Sequence, residues 1–208
     1  MKISYAITVC NEFQEIQRLI GFLLKNKRVE DEIVVLFDST NGTNEVEAFL
    51  NHYTKDNFNW FTWHKYNFDG HFANMKNKLT SLCSGDYIFQ IDADEMISEW
   101  CLQNLSMVLQ YNPIDVLLVP RINTVEGITQ EHINKWGWRV NEKGWVNFPD
   151  FQFRIYKNNN KIIWKNKVHE VLEGFTTVSE LPLDEPWCLI HNKTIERQEK
   201  QNNYYEKL

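Results

Sequence analysis

Between residues 1 and 121, short apolar runs alternate with segments of helical period, and this alternation leaves few folds open to the chain. "ISYAITVC" (3–10) places Ile3, Tyr5, Ile7 and Val9 on one face of a strand. "EIVVLF" (32–37) is apolar without a break, as in a parallel strand covered on both faces. "FNWFTWHKY" (58–66), "DYIFQI" (86–91) and "DVLLVPR" (115–121) supply three more strands, the last closed by Pro120. Phe13, Ile16, Leu19, Ile20, Leu23 and Leu24 form one helical stripe, with Asn11 as N-cap and Gln14 at capping-box spacing. Further helices run through Val46, Phe49 and Leu50, from His71 up to Gly85, and across "SEWCLQNLSMVLQY" (98–111). Strands and helices at this spacing imply right-handed crossovers and an α/β fold with a mostly parallel central sheet.

After Arg121 the texture changes. Residues 122–150 read as an aromatic loop region carrying Trp136, Trp138, Trp145 and Phe148. Short strands follow at "FQFRIYK" (151–157), "KIIW" (161–164), "TTVSEL" (176–181) and "WCLIHN" (187–192), then a polar terminal helix from Thr194. The 208 residues suffice for one sizeable core. The expectation is a single domain, 1–208, with a nucleotide-binding half (1–121) and a smaller mixed half (122–208) on the same sheet.

Charge and cysteine usage narrow the partners. Twenty-two basic residues stand against 28 acidic ones, a formal charge of −6 without a basic run, which argues against nucleic acid. Cys10, Cys83, Cys101 and Cys188 are far apart and form no Cys-x-x-Cys pair, as expected of a reducing, cytoplasmic setting. The first residues are too few and too polar for a signal core, and no apolar run approaches the ~20 residues of a transmembrane segment.

The polar residues gather at strand ends. In open α/β sheets ligands lie outside the carboxyl ends of the strands. The first strand ends at Asn11-Glu12, the second at Asp38-Ser39-Thr40, and the fourth at Asp92-Ala93-Asp94-Glu95. Like charges 4 Å apart repel by ~1 kcal/mol in water and by about four times that near a protein surface. A positive partner is therefore expected. In extended backbone Asp92 and Asp94 point the same way, and small Ala93 lets a ligand approach. Two hard carboxylates suit Mg²⁺ or Mn²⁺. The competing reading is a solvated turn capping the helix that begins near Ser98, because short motifs match often. Met96 and Ile97 exclude an EF-hand loop, and no His/Cys pair nearby suits zinc.

These pieces together resemble the family 2 glycosyltransferases of GT-A fold, closest to the subgroup that builds lipopolysaccharide cores. "ISYAITVCNE" is similar to the family's opening strand, and "EIVVLFDSTNGTNE" to its second strand and turn. "ANMKNKLTSLCSGDYIFQIDADE" resembles the helix, Gly-Asp, strand and Asp-x-Asp-Glu block; "FQFRIYK" and "WKNKVHE" resemble an arginine-bearing strand and a Val-His-Glu segment. Two positions depart from the pattern: Leu36 stands where an Asp is usual, and Asn41 replaces the Asp of the turn.

The resemblance implies a GT-A, Rossmann-like three-layer sandwich. It also implies a metal-dependent, inverting transfer from a nucleotide-diphosphate sugar, a UDP-sugar first, to a hydroxyl of a glycan, lipid-linked or protein acceptor. Base and ribose would lie near Thr8, Asn11, Glu12 and Asp38. Asp94, with Asp92 and Ala93 beside it, would hold Mn²⁺ or Mg²⁺ against the diphosphate, with His191 as a further ligand. Lys76 reads either as a phosphate contact or as a solvated helix face. Glu170 is the candidate general base, with Asp150 second, and His169 would orient the loop of Glu170. Two rivals remain open at this point: a metal-dependent nucleotidyltransferase or phosphohydrolase, and a carbohydrate-binding protein that has lost activity. The three tryptophans read equally as a sugar platform or as core.

Overall fold

The computed structural model describes residues 1–54 and 60–205. The first half alternates as expected: β1 (Ile3–Val9), α1 (Phe13–Asn26), β2 (Glu32–Asp38), α2 (Asn44–Thr54), β3 (Phe61–Tyr66), α3 (Phe72–Thr80) and β4 (Tyr87–Asp92). A two-residue β5 (Glu95–Met96) precedes α4 (Glu99–Tyr111), and β6 (Val116–Glu126) and α5 (Gln130–Trp136) follow. The remainder is β7 (Val146–Lys157), β8 (Ile163–Lys165), β9 (Val171–Glu173), β10 (Val178–Glu180), β11 (Leu189–Thr194) and α6 (Ile195–Tyr205). Phe58 and Asn59, expected to open the third strand, lie outside the described residues.

Nine strands form one sheet among the described residues, in the order β3-β2-β1-β4-β7-β6-β11-β5, with β10 also paired to β6. β1, β2, β3 and β4 are mutually parallel, whereas β7 runs antiparallel to both β4 and β6. The sheet is therefore mixed. β1 passes to β2 on one side while β4 lies on its other side, so the strand order reverses between β1 and β4. Such a reversal opens a crevice at the carboxyl edge, and Thr8 pairs with Asp92 at its mouth.

Two apolar layers sandwich this sheet. Ile3, Tyr5, Ile7 and Val9 face one layer with Ile16, Leu19, Ile20 and Leu23 of α1 and Cys101, Leu102 and Leu105 of α4. Ala6, Val34, Leu36 and Ile88 face the other, against Ala73, Met75 and Leu79 of α3 and Trp164 and Leu172 of the β8–β9 hairpin. The period-2 pattern of the first strand sorts its side chains as expected.

Four local expectations are corrected. The residue capping α1 is Glu12, not Asn11, and its side chain makes no capping bond; the carboxylate turns back onto the N–H groups of Cys10 (2.8 Å) and Asn11 (3.1 Å). The helix expected to reach Gly85 stops at Thr80. Gly85 instead lets β1 come close: its N–H donates to Ser4 Oγ at 2.8 Å, and a Cβ there would lie 2.7 Å from Ser4 N. Pro120 does not close its strand, because β6 runs on to Glu126. The Leu118 carbonyl accepts from Leu181 N on the β10 side, so alternation turns Pro120 to that same side. There β10 has ended at Leu118 and β11 begins only at Arg121, so the missing N–H leaves no ladder bond unmade. Finally, residues 122–150 are not a loop region: they hold the end of β6, α5 with its Thr129 cap, and the start of β7.

Candidate active site

The acidic turn already has positive partners within the chain. Asp92 ends β4, Ala93 and Asp94 form a turn, and Glu95 opens β5. The backbone is not extended there, so Asp92 and Asp94 do not share a face as expected; they meet different partners. Asp92 Oδ1 accepts from Thr8 Oγ1 (3.3 Å) and Oδ2 from Arg154 Nη2 (2.7 Å). Glu95 is fully buried and accepts from Arg154 Nη2 (2.6 Å), Arg121 Nη1 (3.0 Å) and the Asp92 N–H (3.1 Å), which braces the turn from inside. Burial alone would raise the Asp92 carboxyl, but the charges of Arg154, Lys76, Arg121 and His191 outweigh it and hold it below the ordinary range.

Asp94 reaches a second group. Its Oδ2 lies 3.2 Å from His191 Nε2 on β11 and 3.4 Å from Arg197 Nη2 on α6. Burial again raises this carboxyl, yet the His191 hydrogen bond and charge, with Lys193, bring it down to about 2. The His191 ring is oriented from behind. Asn123 Nδ2 donates to Asp150 Oδ2 (2.8 Å), and a carboxylate can only accept. Asn123 Oδ1 therefore faces His191 Nδ1 at 2.8 Å and requires the proton to sit on Nδ1. With Nδ1 engaged by Asn123, Nε2 is the ring nitrogen that faces Asp94, and the two side chains meet directly at the sheet edge.

The other expected residues are distributed around this centre. Lys76 is buried, not solvated; its Nζ lies 3.5 Å from Glu170 Oε2 and 4.7 Å from the centre of the Trp164 ring. Glu170 follows His169, whose φ of +54° is uncommon for a residue with a side chain. Asp150 accepts three hydrogen bonds, from Arg121 Nε (2.9 Å), Asn123 Nδ2 (2.8 Å) and Gln152 Nε2 (2.6 Å), and Arg121 Nη2 adds an ion-pair contact at 2.9 Å. Burial raises its carboxyl, and these donors more than offset that and lower it. Asp38 closes its own turn, accepting from the N–H groups of Thr40 (2.8 Å) and Asn41 (3.1 Å) and from Asn41 Nδ2 (2.9 Å). Ala93 is buried with the first apolar layer, and Asn11 is exposed at the tip of β1. Burial raises the Glu12 carboxyl, with Asp94 adding to it against the Cys10 N–H and Arg197.

The family model of glycosyl transferase family 2 matches residues 4–181. The chain belongs to that family. Solved structures agree on the fold of this family 2 chain. S. aureus TarS 1-349 in complex with UDP-GlcNAc superposes with a TM-score of 0.66 at 18% identity, over 93% of this chain and 59% of that one. The UDP complex of the same fragment gives 0.65 at 17% identity, over 92% and 60%. The chain thus spans about three-fifths of the length of these structures. No curated protein matches it.

Several groups of this family 2 site were not legible as such in the sequence. Arg154 stood in a strand noted only for bearing an arginine, Arg121 beside the proline taken as a strand end, and Arg197 in a helix read as merely polar. Periodicity could not find them, because each works across the sheet rather than along its own element. Trp136, Trp138 and Trp145 belong to neither apolar layer: Trp136 stacks on His132 and packs on Trp138, and Trp145 meets Phe148 edge-on.

No group of three or more His, Cys, Asp and Glu side chains among the described residues is placed to hold a metal ion. Asp94 and the oriented Nε2 of His191 offer two donors, which fits a hard divalent cation that completes its shell from phosphate and water. No helix among the described residues is long and apolar enough to cross a membrane.

Proposed function

We propose that this chain is a metal-dependent, inverting glycosyltransferase that moves a sugar from a UDP-sugar to a hydroxyl of a glycan, lipid-linked or protein acceptor. The observation that carries this reading is the pair Asp94 and His191, which meet at the carboxyl edge of the sheet with Asn123 orienting the imidazole from behind. Family membership and the fold shared with a UDP-GlcNAc-bound structure support the donor class. Thr8, Asn11, Glu12 and Asp38 line the nucleotide end, beside the β1–β4 crevice. Mn²⁺ or Mg²⁺ would be held by Asp94 and His191, with Asp92 and Ala93 alongside. When bound, the cation neutralises charge on the departing diphosphate.

The acceptor hydroxyl must lose a proton as it attacks. Glu170 suits this role better than Asp150. Asp150 accepts from three donors beside the Arg121 charge, and a carboxylate so stabilised is a weak base. Glu170 meets only Lys76 among the described residues, at 3.5 Å, and keeps capacity for a hydroxyl. Lys76 supplies its counter-charge from a buried position facing the Asp92 side of the site.

Product analysis tests the proposal. With UDP-GlcNAc, Mn²⁺ and a panel of saccharide and lipid-linked acceptors, the expected products are UDP and a glycoside of inverted anomeric configuration. Glu170→Gln should lower kcat by about 10²–10⁴-fold with little change in donor KM. Free phosphate or pyrophosphate without a glycoside would refute transfer and favour nucleotidyl or phosphoryl chemistry.

A further inference from the structure

The hairpin that leads into β7 carries aromatic residues that neither the apolar layers nor the donor reading uses. Val140 and Val146 bridge its two arms, and Asn141 ties the turn between them. Asn141 Oδ1 accepts from the N–H groups of Lys143 and Trp145, at 3.0 Å each, and its own N–H donates to the Trp145 carbonyl at 3.1 Å. Asn147 adopts φ +53° and is held there by Arg139: its N–H donates to the Arg139 carbonyl (2.8 Å), and its Oδ1 accepts from the Arg139 N–H (2.9 Å). Trp145 and Phe148 are thus fixed from within the hairpin, before any ligand arrives.

The hairpin frames a hollow of about 510 Å³ lined by Val140, Asn141, Glu142, Lys143, Trp145 and Phe148, within the size range of small-ligand sites. The two rings lie 4.8 Å apart at 62°, so they form a corner and not a flat stack. Lys143 Nζ sits 4.4 Å from the centre of the Trp145 ring and 2.6 Å from Glu185, which answers its charge. Glu142 is exposed at the rim, so an anionic ligand would find no spare positive charge among these six residues. A neutral pyranose suits the hollow better. Its C–H face can lie against an aromatic ring, while its hydroxyls meet Asn141, Glu142 and Lys143. The position is also apt: Val146 pairs with Asn123 of β6, and Phe148 stands two residues before Asp150, so the hollow adjoins the candidate active site along β7.

We propose that this hollow is a subsite for a neutral saccharide unit of the acceptor, with Trp145 and Phe148 as its aromatic corner and Glu142 accepting from a sugar hydroxyl. That the bound sugar is the acceptor rests on the transferase reading above, and it narrows the acceptor to a glycan.

Saturation-transfer NMR on the full chain, without donor or metal, tests the subsite with chitotriose, cellotriose and maltotriose as probes and glucose 6-phosphate as the anionic comparison. At least one trisaccharide should bind more tightly than the phosphate. Trp145→Ala should weaken that binding by about tenfold or more, and Trp145→Phe, which keeps an aromatic face, by less than about threefold. Glu142→Ala, at an exposed turn position, should weaken it about three- to tenfold through the lost hydrogen bond. The subsite is overturned if no trisaccharide binds, if glucose 6-phosphate binds more tightly, or if a folded Trp145→Ala protein binds like the unaltered chain. Should Trp145→Ala fail to fold, unchanged binding by Glu142→Ala overturns it instead. Product analysis keeps the two readings apart. A chain that binds a trisaccharide through Trp145 yet forms no glycoside retains the subsite and loses the transferase reading. Transfer that Trp145→Ala leaves unchanged does the reverse.

Discussion

At the residue scale, one amide decides what His191 can do. Asn123 donates to Asp150 and accepts from His191 Nδ1, so its two ends give the imidazole a direction. Asn123→Leu deletes both bonds at similar volume and should weaken Mn²⁺ binding about 10–100-fold, as loss of an orienting partner does elsewhere; a metal titration checks it. The sequence exposed Asp94 because it follows the end of β4, and it pointed to His191 as the end of an expected strand, although β11 runs on past it to Thr194. It hid Asn123 and Arg121, whose importance comes from a register between β6, β7 and β11 that local pattern does not encode. A second residue bears on stability alone. Burial raises the Glu32 carboxyl, but Lys2, Ser4 and Ser84 overcome this and hold it at about 2, against an ordinary 4.5. A carboxyl depressed on folding stabilises above its unfolded value and loses that contribution as pH falls through the folded one. Glu32 should therefore contribute about 3 kcal/mol above pH ~4.5, lost progressively down to pH ~2. In Glu32→Gln, urea unfolding should show lower stability at pH 7 and a flatter acid limb.

At the element scale, α6 is held by charge rather than by an apolar stripe. None of the residues from Ile195 to Asn203 is buried. Arg197 joins the helix to Glu15 (2.5 Å), Glu12 (3.4 Å) and Asp94 (3.4 Å), which ties three elements to one guanidinium. Arg197→Ala should raise amide hydrogen exchange across α6 while β4 stays protected. Unchanged exchange in α6 would show that other contacts hold it. The helices α1 and α4 were readable because one side of each is apolar at helical spacing. β6 was misread beyond Pro120 because Asn123 and Thr124 break its apolar pattern where β11, not the core, supplies the pairing. Nor did the acidic turn reveal its own shape: strand alternation predicts side chains on one face, and the chain bends at Ala93 instead.

At the scale of the whole molecule, the alternation in residues 1–121 was enough to place the fold class, since each crossover constrains the next. The antiparallel β7 was not foreseeable, because inserting it between β4 and β6 depends on long-range pairing. That insertion brings Arg154 to Asp92 and makes the sheet one body across the 121/122 boundary. Ile7, fully buried at the centre of β1, tests the shared core: Ile7→Ala should cost about 2–5 kcal/mol in a single cooperative unfolding transition. Two separate transitions would show that the halves fold apart. The central claim is that Asp94 and His191 receive a cation carrying a sugar nucleotide. Calorimetric titration of UDP-GlcNAc into the unaltered chain and into Asp94→Asn, each with Mn²⁺ and with EDTA, tests it most directly. The account predicts binding by the unaltered chain that is strong with Mn²⁺ and weak in EDTA, and binding by Asp94→Asn that is equally weak under both conditions. Equal affinity with and without the metal, or full binding by Asp94→Asn, would contradict it.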